Sequence, residues 1–167
     1  MRAATFLAII LGAVVVRAEA PVKPGSGAAL CVLTVADFKA AGIANADKPS
    51  ANVQDGGQSA YCVYAGKSSA TGGLELDVFH PAGANVGDAK ATEDTAVGEV
   101  SAALKPIKLA GCDTARWAPN AKSGGPEFAM IVVRRGTLVF VLGIPAHADA
   151  ESRLTKLAAL VLGRLAP

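Results

Sequence analysis

The chain holds 167 residues, with 16 Lys plus Arg against 14 Asp plus Glu and a formal charge of +2. Arg2 and Arg17 fall among the first 18 positions, while every acidic residue lies beyond them, so the rest of the chain is neutral. Without a basic excess or a basic stripe to neutralise phosphates, neither nucleic acid nor an anionic membrane surface is an expected partner.

Positions 1–18 have the order of a cleavable export signal. Arg2 gives a positive start, residues 6–16 are an unbroken apolar run, and small residues at Ala18 and Ala20 close the segment. That run covers about half the length a membrane-crossing helix needs, and no second apolar run follows to stop transfer. Cleavage after Ala20 would set Pro21 beside the scissile bond, so cleavage after Ala18 is expected, leaving Glu19 as the first mature residue. The expected location is therefore secreted or periplasmic, with no stable membrane anchor after cleavage. Abundant Ala, Gly and Val point to a GC-rich bacterial genome. Removing 18 of 167 residues leaves 149, one domain's worth of chain. With 51% apolar but only 5% aromatic residues, Val, Leu, Ile and Ala must fill its core.

Residues 19–29 are mostly Pro, Gly, Ser and Ala and read as a flexible tether, which leaves 30–167 as a single α+β domain. The first helix starts with Thr34 as N-cap, Asp37 placed to reach back to it, and Leu33 and Phe38 spaced for a hydrophobic staple. Gly42 ends it. Residues 45–59, with Pro49 and Asp55-Gly56-Gly57, show no period and read as a loop.

Two antiparallel strands are expected at 60–65 and 74–80, joined by the small polar turn 66–73. The second alternates, with Leu74, Leu76 and Val78 on one face and Glu75, Asp77 and Phe79 on the other, the latter mainly toward solvent. A helix is expected over 88–104, stopped by Pro106, followed by a short strand at 107–117 broken around Gly111-Cys112-Asp113. The nearly continuous apolar runs 128–133 and 138–144 flank Arg134-Arg135-Gly136-Thr137, a hairpin signal with central strands on either side. Over 149–165, Leu154, Leu157, Ala158, Val161 and Leu165 form the apolar stripe of a terminal helix. The order predicts an α+β fold, an antiparallel sheet of about five strands with helices packed mainly on one face.

Few residues carry chemistry. His80, three positions after Asp77, has the type of a general base, but residues three apart on a strand point to opposite faces, so an exposed strand-end histidine is expected. His147 reads as part of a solvated helix entry. The three cysteines and two histidines lack Cys-x-x-Cys or His-x-x-x-His spacing, and no nucleophile elbow or phosphate-cradling glycine loop occurs. No metal or cofactor is expected. Gly56-Gly57, Gly72-Gly73 and Gly124-Gly125 read as turn glycines. Ligand-binding candidates are Trp117, as an aromatic wall, and Arg134 with Arg135, as a grip on an anion.

The stretch Cys31-Val32-Leu33-Thr34-Val35-Ala36-Asp37, followed by Cys62-Val63-Tyr64, resembles small secreted or lipid-anchored bacterial domains of mostly unassigned function. In those, a Cys precedes a Leu-Leu-Thr helix start and a second Cys opens a strand. Cys112-Asp113-Thr114-Ala115 is similar to their Gly-Asp-x-Ala segment, with Cys112 in place of the Gly, and no lipobox precedes Cys31. The resemblance implies an exported α+β domain and a disulfide between Cys31 and Cys62. The structureless loop between those two cysteines agrees, because a cross-link there removes much chain entropy. Cys112 is then the free thiol.

The favoured reading is an exported, non-catalytic binding or accessory protein for an unknown small molecule or exported protein. One alternative is an exported hydrolase or isomerase with a site around His80 and Asp113, drawing also on His147 or Cys112. Another is an inhibitor or partner of an exported enzyme that uses the hairpin tip 134–137.

Overall fold

The structure, a computed structural model, describes residues 20–65, 74–100, 103–121 and 127–166. The expected signal peptide at 1–18, its cleavage point before Glu19, the turn 66–73 and Gly124-Gly125 lie outside the described residues.

Among the described residues the strands are β1 (Ala46–Gln54), β2 (Ser59–Ala65), β3 (Glu75–Phe79), β4 (Lys105–Pro106), β5 (Thr114–Ala121), β6 (Phe128–Arg135) and β7 (Leu138–Pro145). The helices are α1 (Val35–Ala40), α2 (Val86–Gly98) and α3 (Ala150–Arg164). The strands form one antiparallel sheet in the order β1-β2-β3-β7-β6-β5-β4. The sheet thus has seven strands rather than the expected five, and both additions are its edges. β1, read from sequence as a loop, buries only Ala46 fully and carries Pro49, so no alternation marks it. β4 is two exposed residues ending in Pro. Exposed, short or Pro-bearing strands are what a sheet edge tolerates. The strand expected at 107–117 resolves into a loop followed by β5.

β6 and β7 lie side by side inside the sheet and are buried almost throughout, because helices cover both of their faces. On one face α1 and α3 enclose the main core, where Phe38, Leu154, Leu157 and Val161 meet Ile131, Phe140 and Leu142. On the other, α2 lies over Met130 and Val132 of β6. Two of the three helices therefore share a face.

The capping signals act locally. Thr34 accepts from the Asp37 backbone N–H while Asp37 accepts from that of Thr34, and Asn85 with Asp88 repeats the arrangement at α2. Just beyond α1, Gly42 takes φ of +81°, which lets the chain turn back. α2 stops at Gly98, short of the expected residue 104, as a glycine near the end of a weakly patterned helix permits.

Within 19–29, described from Ala20, Val22 forms a parallel bridge to Leu165 and the Gly25 N–H donates to the His80 carbonyl at 2.8 Å. The chain then makes a 3-10 turn at Gly27–Leu30 and reaches Cys31, which is joined to Cys62 of β2 with a Cα–Cα distance of 5.6 Å. Cys112 is free and half-buried. No described helix is long and apolar enough to cross a membrane.

Candidate functional site

The alternation of β3 places Leu76 and Val78 in the main core and directs Glu75, Asp77 and Phe79 to the opposite face. Pairing with β2 sets Tyr61 across from Asp77 and Val63 across from Glu75. On that same face α2 covers β6 and β7, and its C-terminal end leaves a groove of about 270 Å3 between helix and sheet.

The floor of the groove is apolar, made by Phe128, Met130 and Val141, with Ala96 and Val100 on the helix side. Its polar wall is acidic, made by Glu75, Asp77 and Glu99, with the Tyr61 phenol beside them. Gly143, opposite Glu75 on β7, keeps the floor open. A Cβ there would lie 3.1 Å from the Glu75 Cγ and 3.5 Å from the Phe128 ring.

The wall is electrostatically loaded. The Tyr61 hydroxyl donates to a Glu75 carboxylate oxygen, and burial together with that bond raises the phenol above its ordinary pKa. Asp77 keeps an open side to solvent, yet the surrounding protein raises its carboxyl, with the like charges of Glu75 and Glu99 adding to the effect. A cation in the groove would relieve the repulsion among these carboxylates.

A second hollow, wider and more open, of about 650 Å3, lies in the loop between β4 and β5 beside Lys108, Cys112 and Arg116. That loop and the strand ends it joins form it. The Cys112 thiol donates to the Leu109 carbonyl, and burial with the neighbouring Asp113 raises its pKa, which disfavours the nucleophilic thiolate.

The residues singled out from sequence are dispersed. Trp117 is half-buried between Lys105 of β4 and Ile131 of β6, against the main core and on the sheet face away from the groove. Arg134 turns inward, donating from Nε to Glu93 and from an Nη to Asp113, each at 2.9 Å. Arg135 donates to the Leu162 and Leu165 carbonyls at 2.8 and 2.6 Å, closing the end of α3. His80, expected to be exposed, is wholly buried beneath the N-terminal segment, which the local sequence could not reveal. No described hydrogen bond or ion pair joins it to Asp113. His147 is exposed and its Nδ1 accepts from the Asp149 backbone N–H at 3.1 Å, as a helix-entry residue does. Among the described residues no cluster of His, Cys, Asp and Glu is arranged to hold a metal ion.

Sequence reasoning assigned Glu75 and Asp77 to the solvent side of a strand and left Tyr61 and Glu99 without a role. A local signal did exist, two carboxylates at i and i+2 on one strand face of a hairpin that carries a tyrosine. Comparison with protein families, curated proteins and solved structures returns no match for this chain.

Proposed function

We propose that this is an exported, non-catalytic binding protein whose groove takes a small organic cation with an apolar portion. The observation that carries this reading is the pairing, in one groove, of an acidic wall at Glu75, Asp77 and Glu99 with an apolar floor at Phe128, Met130 and Val141. An ammonium group would meet the wall while a short alkyl or aromatic part covered the floor, burying apolar surface worth about 25 cal/mol per Å2. At about 270 Å3 the groove suits a ligand below usual drug size. The leader-like start and the Cys31–Cys62 bridge support an oxidising, exported setting.

The test is a titration of the mature protein with hexylamine and, separately, hexanoate, followed by backbone amide NMR shifts. Saturable shifts at Tyr61, Glu75 and Val141 with the amine alone are expected, and they are lost in Glu75→Gln/Asp77→Asn. Equal responses to both probes, or none to the amine, would remove the proposal.

A further inference from the structure

His80 follows β3 directly and is 0% exposed. Its backbone joins two parts of the molecule, since its N–H donates to the Gln58 carbonyl at 2.9 Å and its carbonyl accepts from the Gly25 N–H at 2.8 Å. The N-terminal segment that carries Gly25 is tied in turn to the chain's end. Val22 donates to the Arg164 carbonyl at 2.7 Å and accepts from the Ala166 N–H at 2.8 Å. The imidazole thus lies beneath a strap made of residues 20–26 and Ala166, flanked by the core residues Leu30 and Leu165.

The imidazole nitrogens make no hydrogen bond of normal geometry and face the Ala166 backbone. Among the described residues the neighbouring elements bring no carboxylate onto it. β6 contributes the Arg135 cation, the strap contributes Gly25 and Ala166 through their backbone, and the approach to β2 contributes the Gln58 carbonyl. Asp113 and Cys112 act on Arg135 rather than on the histidine. Arg164, next to the bridge, is directed to Asp37 and the Val32 carbonyl. A proton placed on this ring creates a buried charge beside an existing one of the same sign, and hydration relieves it more fully than the Ala166 backbone can.

We infer that His80 is the acid trigger of a latch, neutral and covered at neutral pH, and on protonation driving the strap of residues 20–26 and Ala166 off the sheet while the core, Leu30 and Leu165 included, remains folded. Burial and the Arg135 charge lower the His80 pKa and outweigh the Ala166 backbone, which raises it, so opening falls on the acid side of the ordinary histidine range. The Asp37–Arg164 pair beside the strap stays ionised over that range, because Asp37 titrates at about 2.

Amide hydrogen exchange on the mature protein, corrected for intrinsic rates, tests this between pH 7.5 and pH 5. Protection of Gly25 and Ala166 should fall at least tenfold, while that of Tyr64, whose N–H donates to Leu74 within the sheet, should hold. In His80→Leu the pH dependence of the strap amides should vanish. Unchanged strap protection in the native chain, a parallel fall at Tyr64, or the same fall in His80→Leu would overturn the inference. Should His80→Leu not fold, His147→Gln leaves a single imidazole, and its NMR titration must share its midpoint with strap opening; a separate midpoint would be equally decisive against the latch.

Discussion

Arg164, in the last turn of α3, grips both carboxylate oxygens of Asp37, in the first turn of α1, and also donates to the Val32 carbonyl. Each residue stands where its helix dipole favours its charge. Asp37 serves the α1 capping box as well, so one carboxylate starts a helix and holds it to another that follows more than a hundred residues later. Burial alone would raise this carboxyl, but hydrogen bonds from Arg164 and Thr34 outweigh it and hold its pKa at about 2.

Because the folded pKa of Asp37 lies below the ordinary 3.8, its contribution is full above about pH 4 and is lost as pH falls toward 2. Asp37→Asn should lower stability at pH 7 by roughly 1 to 2 kcal/mol, discounted for the partly exposed guanidinium, and should flatten the acid limb. Urea midpoints measured from pH 7 to pH 2 check both. An acid limb of native steepness in the variant would show that other carboxylates dominate it.

The Cys31–Cys62 bridge closes a loop of sequence separation 31 and pins the end of the N-terminal 3-10 turn to β2. Breaking it with Cys31→Ala/Cys62→Ala should cost about 3 to 4 kcal/mol in the chain-entropy account. Denaturant titration of the variant gives the cost. Peptide mapping without reduction should recover the Cys31–Cys62 linkage and a Cys112 peptide that alkylates fully only after unfolding, and Cys112 found in a disulfide would contradict the arrangement.

What the sequence disclosed divides by how local the cause is. The Thr34 and Asp37 capping box, the hairpin at Gly136 and the apolar stripe of α3 are written in consecutive residues, and each element stands where its pattern put it. β1 escaped because strand patterns record burial, and an edge strand with most of its residues in solvent has almost none to record. His80 escaped for the opposite reason. A polar residue between a strand and Pro81 reads as exposed, and the strap that helps to cover it is distant in sequence. The groove needs three such separations at once. Glu75 and Asp77 look like ordinary outward residues until Glu99 and Phe128 close in beside them.

α2 buries only Ala89 and Glu93, so its attachment to the sheet depends heavily on one carboxylate. Glu93, 2% exposed, accepts from Thr114 at 2.8 Å and from Arg134 at 2.9 Å, with Arg116 at 3.7 Å. Removing it in Glu93→Ala leaves Arg134 with Asp113 alone, and a loss of about 2 to 4 kcal/mol is expected. The double change Glu93→Leu/Arg134→Met should cost less than Glu93→Ala, because it removes both buried charges together. Chemical denaturation of the two variants decides the order. Faster amide exchange confined to α2 in Glu93→Ala would locate the damage at the docking contact.

The groove makes its own demand on pH. A cation is attracted only by ionised carboxylates, and Asp77 gives up its proton above the ordinary range because the surrounding protein, Glu75 and Glu99 all oppose its charge. Affinity for hexylamine should therefore rise with pH past the point where free carboxylates have finished titrating, and level off once Asp77 is ionised, while the amine itself stays protonated. Asp77→Asn removes that late rise and weakens binding at pH 7 by roughly three- to tenfold, the loss of about 1 kcal/mol suited to a carboxylate that keeps one side in water. Gly143→Ala provides an independent check, since its Cβ would press on the Glu75 side chain, rest in ordinary contact with Phe128 and narrow the groove without altering any charge. Calorimetric titrations from pH 4 to pH 8 on the three proteins separate the effects. Gly143→Ala should lower affinity at every pH and keep the native pH profile, whereas a profile unchanged by Asp77→Asn would mean that the acidic wall is not where the cation sits.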